Sequence, residues 1–239
     1  MTGSTKSSTE SGFSGVLLDW RGTLVVAPTF RWLVAAALDQ LDRDVNDADV
    51  EHILAALKSV DSTRVASSQI DTDVVEHRAA YMDWFAAAGL DDRLAAALYA
   101  VESDASRNAF AQDVEGLLLA LDTAGVRVGV VSDIHVDLRP VFASHVLPDG
   151  RTWADLIQTW ALSFELGFVK PVPEIFRAAL DGLGLPASEV LMVGDRGAWD
   201  GAAVEVGMTT LLLPPLEDPA DERLHRVLDL AVPRTSRAD

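Results

Sequence analysis

Four polar clusters in this 239-residue chain carry side chains able to do chemistry together. Asp19 follows the apolar run Gly15-Val16-Leu17-Leu18, Ser132-Asp133 follows Val130-Val131, and Gly194-Asp195 follows Met192-Val193, with Asp200 one turn further on; Lys170-Pro171 is the fourth. Carboxylates set side by side repel and are expensive unless a cation lies between them. With no cysteine and no His spacing that suggests convergence, the ligands on offer at Asp19, Asp195 and Asp200 are hard oxygens, which favour Mg²⁺ over zinc. A carboxylate beside such an ion is also a nucleophile towards phosphorus, giving an aspartyl-phosphate that water then hydrolyses. Asp19 is the candidate nucleophile. The Ser132 hydroxyl and the Lys170 ammonium are candidate donors to the oxygens of a transferring phosphoryl group.

Such a cluster requires elements that bring distant tips together. Short apolar runs at 15–18, 126–131, 156–162, 190–193 and 209–213 read as buried strands, and helical periodicity fills 114–123, 136–144, 173–183 and 198–206 between them. Strands alternating with helices predict a parallel sheet covered on both faces, with ligands bound beyond the strands' carboxyl ends. From Phe30 to Arg107 the period is helical throughout, over about 30–41, 50–57, 72–88 and 93–107. The expected fold class is therefore α/β: a Rossmann-like parallel-sheet core at 13–28 and 108–232, carrying an all-α cap at 29–107. Hinges are expected near Ala27-Pro28 and 107–112. The Ser/Thr/Gly-rich start, 1–12, and the polar end, 233–239, are expected to be disordered tails.

Composition narrows the partners. Nineteen Lys and Arg against 37 Asp and Glu give a net charge of -18, which repels nucleic acid and anionic lipid. No run approaches the roughly 20 apolar residues that cross a bilayer, and the opening residues lack the core of a secretory signal. The absence of cysteine fits a reducing compartment, so a cytoplasmic location is expected.

The four clusters, in this order on this background, resemble the motifs of the haloacid dehalogenase-like (HAD) hydrolase superfamily. Asp19-Trp20-Arg21-Gly22-Thr23-Leu24 is similar to its nucleophile motif, Val130-Val131-Ser132-Asp133 to its Ser/Thr motif, Lys170 through Phe176 to its lysine motif, and Val193-Gly194-Asp195 through Asp200 to its acidic metal motif. The helical insertion sits where that family carries a substrate-selecting cap. The resemblance implies Asp19 as nucleophile and Mg²⁺ ligand, the Arg21 backbone carbonyl and Asp195 as further ligands, Asp200 as a ligand or outer support, Ser132 as a phosphoryl-binding group and Lys170 as its counter-charge. The implied substrate is a small phosphorylated molecule.

The chain departs from the family pattern at one place. Phosphatases of this kind usually carry a second aspartate two residues after the nucleophile, as general acid and base, and here that residue is Arg21, whose guanidinium does not give up a proton near neutrality. Three readings follow. The protein is a phosphatase that takes its acid from the cap, from His135 or from the substrate, with Arg21 holding an anionic group; or it is a catalytically impaired binding or regulatory protein; or it attacks carbon, as dehalogenases and phosphonoacetaldehyde hydrolases do. The acidic residues Asp195 and Asp200 weigh against dehalogenation, which in this superfamily uses no Mg²⁺, and the cap's single lysine, Lys58, reads as a solvated charge rather than a Schiff-base former.

Asp133, Trp20 and His135 are grouped with Ser132 as candidates to touch the substrate. Trp32 and Trp199 are expected in the core. Arg31 and Arg64 read as solvated charges, and His52, His77, His145 and His225 have no metal-like spacing.

Overall fold

The computed structural model describes residues 12–232. The tails expected at 1–12 and 233–239 lie outside the described residues, apart from Gly12. The chain opens with strand β1 (Gly15–Leu18) and then runs through four helices, α1 (Phe30–Gln40), α2 (Asp47–Lys58), α3 (Val74–Ala87) and α4 (Asp92–Glu102), with 3₁₀ turns at Ser68–Thr72 and Ala105–Arg107. It returns with α5 (Val114–Thr123), β2 (Arg127–Ser132), α6 (Arg139–Ala143), β3 (Ile157–Leu162), α7 (Ser163–Leu166), α8 (Pro173–Leu183), β4 (Val190–Gly194), β5 (Thr209–Leu212) and α9 (His225–Ala231).

The five strands form one parallel sheet in the order β3-β2-β1-β4-β5. β1 lies at its centre because all four residues are buried, and Val16, Leu17 and Leu18 are wholly inaccessible. Such burial on both faces produces a continuous apolar run, each large side chain contributing about 1.5–3 kcal/mol. The chain runs from β1 out through β2 to β3 on one side, then crosses back to β4 and β5 on the other, so the sheet has its switch point between β1 and β4, where a ligand crevice forms. Two apolar layers cover the sheet: one includes Val16, Leu18, Leu118 and Phe142, the other Leu17, Val131, Phe176 and Met192.

The helical block has its own apolar cluster, from Leu33 to Val101, to which the sheet contributes no residue. Each of its four helices starts on a side-chain cap: Thr29, Asn46, Asp73 and Asp91 accept from backbone N–H groups in the first turn. The two connectors to the sheet run side by side, Val26 N donating to Ala109 O at 2.9 Å and Ala111 N to Leu24 O at 2.9 Å.

Two expected helices are shorter or tighter than their periodicity suggested. The one expected at 136–144 is helical only over Arg139–Ala143, and the one at 198–206 is a 3₁₀ helix, Asp200–Val206, because the Asp200 side chain is drawn back onto the preceding loop. No described helix is long and apolar enough to cross a membrane.

Candidate active site

The ends of β1, β2 and β4 and the loop before α8 meet at one buried polar cluster. Lys170, 4% exposed, places Nζ 2.5 Å from Asp19 Oδ1 and 2.6 Å from Asp200 Oδ1. Thr23 donates to the other Asp19 oxygen at 3.0 Å. The carboxylate is thus held from both sides, one oxygen on an ammonium and the other on a hydroxyl. Burial raises the Asp19 pKa, the Lys170 charge pulls it back and Asp200 raises it again; the net direction is upward. Burial pulls Lys170 down, but Asp19 and Asp200 overcome this and raise it, keeping it charged.

Asp200 is fully buried, and both its oxygens are engaged. Oδ2 accepts from Asp195 N at 3.1 Å and Arg196 N at 2.9 Å, while Oδ1 takes Lys170. That makes it a support for the Asp195 loop and for Lys170. Asp195 differs: its Oδ1 is buried without a hydrogen-bond partner, and burial, reinforced by the charges of Asp19 and Asp200, pushes its pKa up to about 6. One oxygen each from Asp19, Asp195 and Asp200 lies within 4.8 Å of the others. Three carboxylates facing one lysine leave an excess of negative charge, and an orphaned oxygen marks where a hard cation would be accepted.

Glycines let these groups approach. A Cβ on Gly22, whose φ is +83°, would strike Asp195 Oδ2, and one on Gly194 would strike the Asp200 carboxyl. Gly22→Ala is therefore expected to cost about 1–2 kcal/mol in left-handed strain and to displace Asp195. The thermal midpoint falls by about 2–8 °C and kcat by about 10²-fold, since displacements of about 1 Å at a reacting centre have that effect. Thermal melts and steady-state kinetics measure the two losses separately.

Ser132, 3% exposed, ends β2 beside this cluster. It does not cap the following helix, which begins only at Arg139. Asp133 lines the cleft above, but its Oδ1 accepts Lys170 N at 2.8 Å, so it also ties the lysine loop to β2. Burial raises its pKa to about 6, against the pull of Lys170. Arg223, remote in sequence, donates to the Thr23 carbonyl at 2.6 Å and the Gly22 carbonyl at 3.4 Å, fixing the loop after the nucleophile.

Arg21 turns away from this cluster. Its guanidinium donates to Glu102 Oε1 and the Glu102 carbonyl, each at 3.1 Å, and to Asn108 Oδ1 at 3.3 Å. Its charge is paired at the end of the helical block, while the side chain, 27% exposed, also lines the cleft. Behind it lies a group that spacing along the chain did not reveal. His135, 1% exposed, places Nε2 3.2 Å from Glu102 Oε2 and Nδ1 3.7 Å from Asp71 Oδ1. His77 stacks on it with centroids 3.4 Å apart, its Nε2 3.6 Å from the same Asp71 oxygen and its Nδ1 3.2 Å from Tyr99 Oη. Asp71, His77 and His135 also offer donor atoms within 4.8 Å of one another. The rings, however, lie nearly parallel, at 10°. In-plane lone pairs on parallel faces do not converge on one ion, so this arrangement holds protons better than metal.

Burial, with the neighbouring His135, pushes His77 down to about 4. Burial alone would lower His135 as well, but its contacts with Asp71 and Glu102 prevail and raise it. Glu102 is likewise raised by burial, yet the His135 hydrogen bond and the Arg21 charge bring it down to about 2.

A cleft of about 180 Å³ separates sheet and helical block, with Arg21, Asp133, Arg196 and Trp199 on one wall and Asp71 and Tyr81 among those on the other. Trp199 is half-buried there beneath the Arg196 guanidinium, 3.6 Å from its ring centroid. Trp20, expected to face the substrate, is fully buried between Phe110 and Phe142 instead. The turn that returns Leu24 N to the Trp20 carbonyl points the indole into the core. The expectation for Trp32 also reverses, since it is 40% exposed beside the connectors. His135 does not reach the cleft wall. Arg31 and Arg64 are exposed and paired with acids of the helical block, as expected of solvated charges, and Lys58 is exposed too.

A haloacid dehalogenase-like hydrolase family model matches residues 13–207. No curated protein matches the chain. Among solved structures, the chain is similar to a 2-haloacid dehalogenase from Pseudomonas syringae (20% identity, covering 91% of this chain and 97% of that one, TM-score 0.60). It is also similar to a HAD phosphatase from Thermococcus onnurineus (20%, 92% and 99%, 0.56) and to a HAD family enzyme from Bacteroides thetaiotaomicron in complex with magnesium and inorganic phosphate (20%, 87% and 97%, 0.59). At these identities the structural likeness speaks for the fold alone, but the family model spans β1 to β4, the helical block and all four clusters, and the chain belongs to the haloacid dehalogenase-like hydrolases.

Proposed function

We propose that this hydrolase is a Mg²⁺-dependent phosphatase acting on a small phosphorylated molecule through an aspartyl-phosphate on Asp19. The observation that carries this reading is the unpartnered Asp195 oxygen beside an Asp19 carboxylate already oriented by Lys170 and Thr23. Asp19, Asp195 and the Arg21 carbonyl would hold the ion, with Asp200 orienting them from behind. Bound there, Mg²⁺ would offset negative charge on the transferring group. Asp19 presents the attacking oxygen, Ser132 donates to the phosphoryl oxygens and Lys170 compensates charge between them.

A second cavity, of about 340 Å³, lies within the helical block against Leu54, Leu57 and Trp84, with Lys58 at its edge. It shares Val65, Ala66 and Tyr81 with the cleft wall. This supports a substrate with an apolar body rather than a sugar. With a net charge of -18, nucleic acid is not the proposed partner, and a chain without cysteine suits the cytoplasm.

Turnover of an aryl phosphate and of acetyl phosphate tests the reading: both are expected with Mg²⁺ and neither in EDTA. Halide release from a 2-haloacid in EDTA, with no phosphate release under any condition, would reverse it in favour of attack on carbon. A pH dependence accompanies metal binding. Asp195 must lose its proton to bind, and its pKa stands near 6, above its ordinary value. In the metal-free protein that group favours the fold at low pH and loses this contribution as pH rises through about 6. Mg²⁺ is therefore expected to raise the thermal midpoint at about pH 7 and to have little effect at about pH 5.

A further inference from the structure

Phosphoester cleavage by Asp19 leaves a proton to be placed on the leaving oxygen, and position 21 offers only a guanidinium clasped to Glu102. We infer that Asp71 of the helical block is the general acid and base of this site, with His135 as the positioning residue that supplies its proton. This assignment rests on the phosphatase reading above.

Three observations carry it. Asp71 lines the cleft with its side chain 22% exposed, opposite Asp133 at the tip of β2. Its backbone is fastened to that tip: Ser163 Oγ accepts from Ile134 N at 2.8 Å and donates to the Asp71 carbonyl at 2.9 Å. Finally, His135 Nδ1 is buried, has no hydrogen-bond partner and faces Asp71 Oδ1 at 3.7 Å, one small side-chain adjustment from a proton-transfer contact. Every charged neighbour of this imidazole favours a single stored proton. Glu102 of α4 and Asp71 of the 3₁₀ turn sit at its two nitrogens, and Arg21 is compensated by Glu102. His77 of α3, face to face with it, is the neutral member, because two stacked imidazoliums would repel, and Tyr99 keeps its hydroxyl on His77. Asp133 also faces the cleft, but one of its oxygens is committed to the Lys170 amide.

In the first half-reaction an Asp19 oxygen bonds to phosphorus, the bond from phosphorus to the leaving oxygen breaks, and that oxygen takes the proton that His135 Nδ1 passes through Asp71, leaving Asp71 ionised and His135 neutral. In the second, water oxygen bonds to phosphorus, the bond from Asp19 oxygen to phosphorus breaks, and the water proton passes to Asp71 and back to His135. Protons, bonds and charges balance over the cycle without another reactant.

The test is the dependence of kcat/KM on leaving group, from a dinitrophenyl phosphate, whose phenolate departs without a proton, to a simple alkyl phosphate, whose alkoxide cannot. Asp71→Asn preserves side-chain shape and the Ser163 contact to its backbone. It is expected to lose about 10²–10³-fold more on the alkyl ester than on the dinitrophenyl ester. His135→Asn is expected to reproduce part of this and to remove the alkaline limb of the wild-type alkyl-ester profile, which marks loss of the His135 proton. Circular dichroism and a thermal melt establish that each variant is folded, and if His135→Asn is not, the Asp71→Asn series decides. An equal loss across the whole ester series overturns the assignment while leaving the phosphatase reading intact. So does the steepened dependence appearing in Asp133→Asn and not in Asp71→Asn. No turnover of any ester by the wild-type protein overturns both.

Discussion

Asp19→Asn is expected to abolish turnover of aryl and acetyl phosphates, by about 10⁵–10⁶-fold, the scale of loss seen when a covalent nucleophile is removed from a hydrolase. An amide matches the carboxylate in shape and still accepts from Thr23, but it does not attack phosphorus. Lys170 keeps Asp200 as its partner, so the variant is not expected to be unstable. Asp19 is buried, and the net effect of burial, Lys170 and Asp200 is to raise its pKa, so in the metal-free fold its charge is a cost near neutrality. A raised acid pKa means stability present below the ordinary value of 3.8 and lost as pH rises beyond it towards the folded value. Melts in EDTA between about pH 4 and pH 7 should show wild-type stability falling with pH more steeply than that of Asp19→Asn. Activity lost together with the fold would mean that the carboxylate serves the structure first, and the nucleophile assignment would fail.

The contrast between Asp19 and Asp71 shows which parts of the site can be read along the chain. β1 was legible because a central parallel strand is buried on both faces and must be apolar throughout; its first polar residue, Asp19, then marks the carboxyl end where a crevice opens. Ser132 and Asp195 follow from the same logic on β2 and β4. Asp200 was legible as an acid near the metal, but its commitment to two amides and to Lys170 depends on the tight 3₁₀ start of the segment, which periodicity does not encode. Trp20 and Trp199 exchanged expected places because the direction of a side chain in a turn is set by backbone hydrogen bonds rather than by neighbours in sequence. The short helices α7 and α9 have too few turns for a period to register. Nothing along the chain joins Asp71, His77, Glu102 and His135, which belong to a 3₁₀ turn, two helices and a strand-end loop; only the packing of the helical block on the sheet brings them together. The substitution at position 21 was visible, but its consequence depends on Glu102, whose chemistry alone would not distinguish it from a surface acid.

Lys170→Met tests the electrostatic core of the site. The ammonium is the cation that offsets both Asp19 and Asp200 among the described residues, and all three side chains are buried. Exposed pairs such as Arg31 with Asp47 contribute close to nothing, whereas removing one partner of a buried pair strands the other charge and costs about 3–5 kcal/mol. For a chain of this size that is a fall of about 10 °C in thermal midpoint. Loss of the donor between nucleophile and transferring group is expected to lower kcat by a further factor of about 10²–10³. The pH dependence identifies the cause. Lys170 stays charged well above neutrality in the native protein, so its own protonation does not change between about pH 4 and pH 9. Without it, Asp19 protonates more readily, and the variant should recover stability on acidification, as that carboxylate becomes neutral. Adding Asp19→Asn to Lys170→Met removes one stranded charge and should restore part of the midpoint at neutral pH, with a coupling that neither single variant shows. A deficit equal at about pH 5 and pH 8, unrelieved by the second substitution, would assign the loss to packing of the lysine stem instead of to its charge.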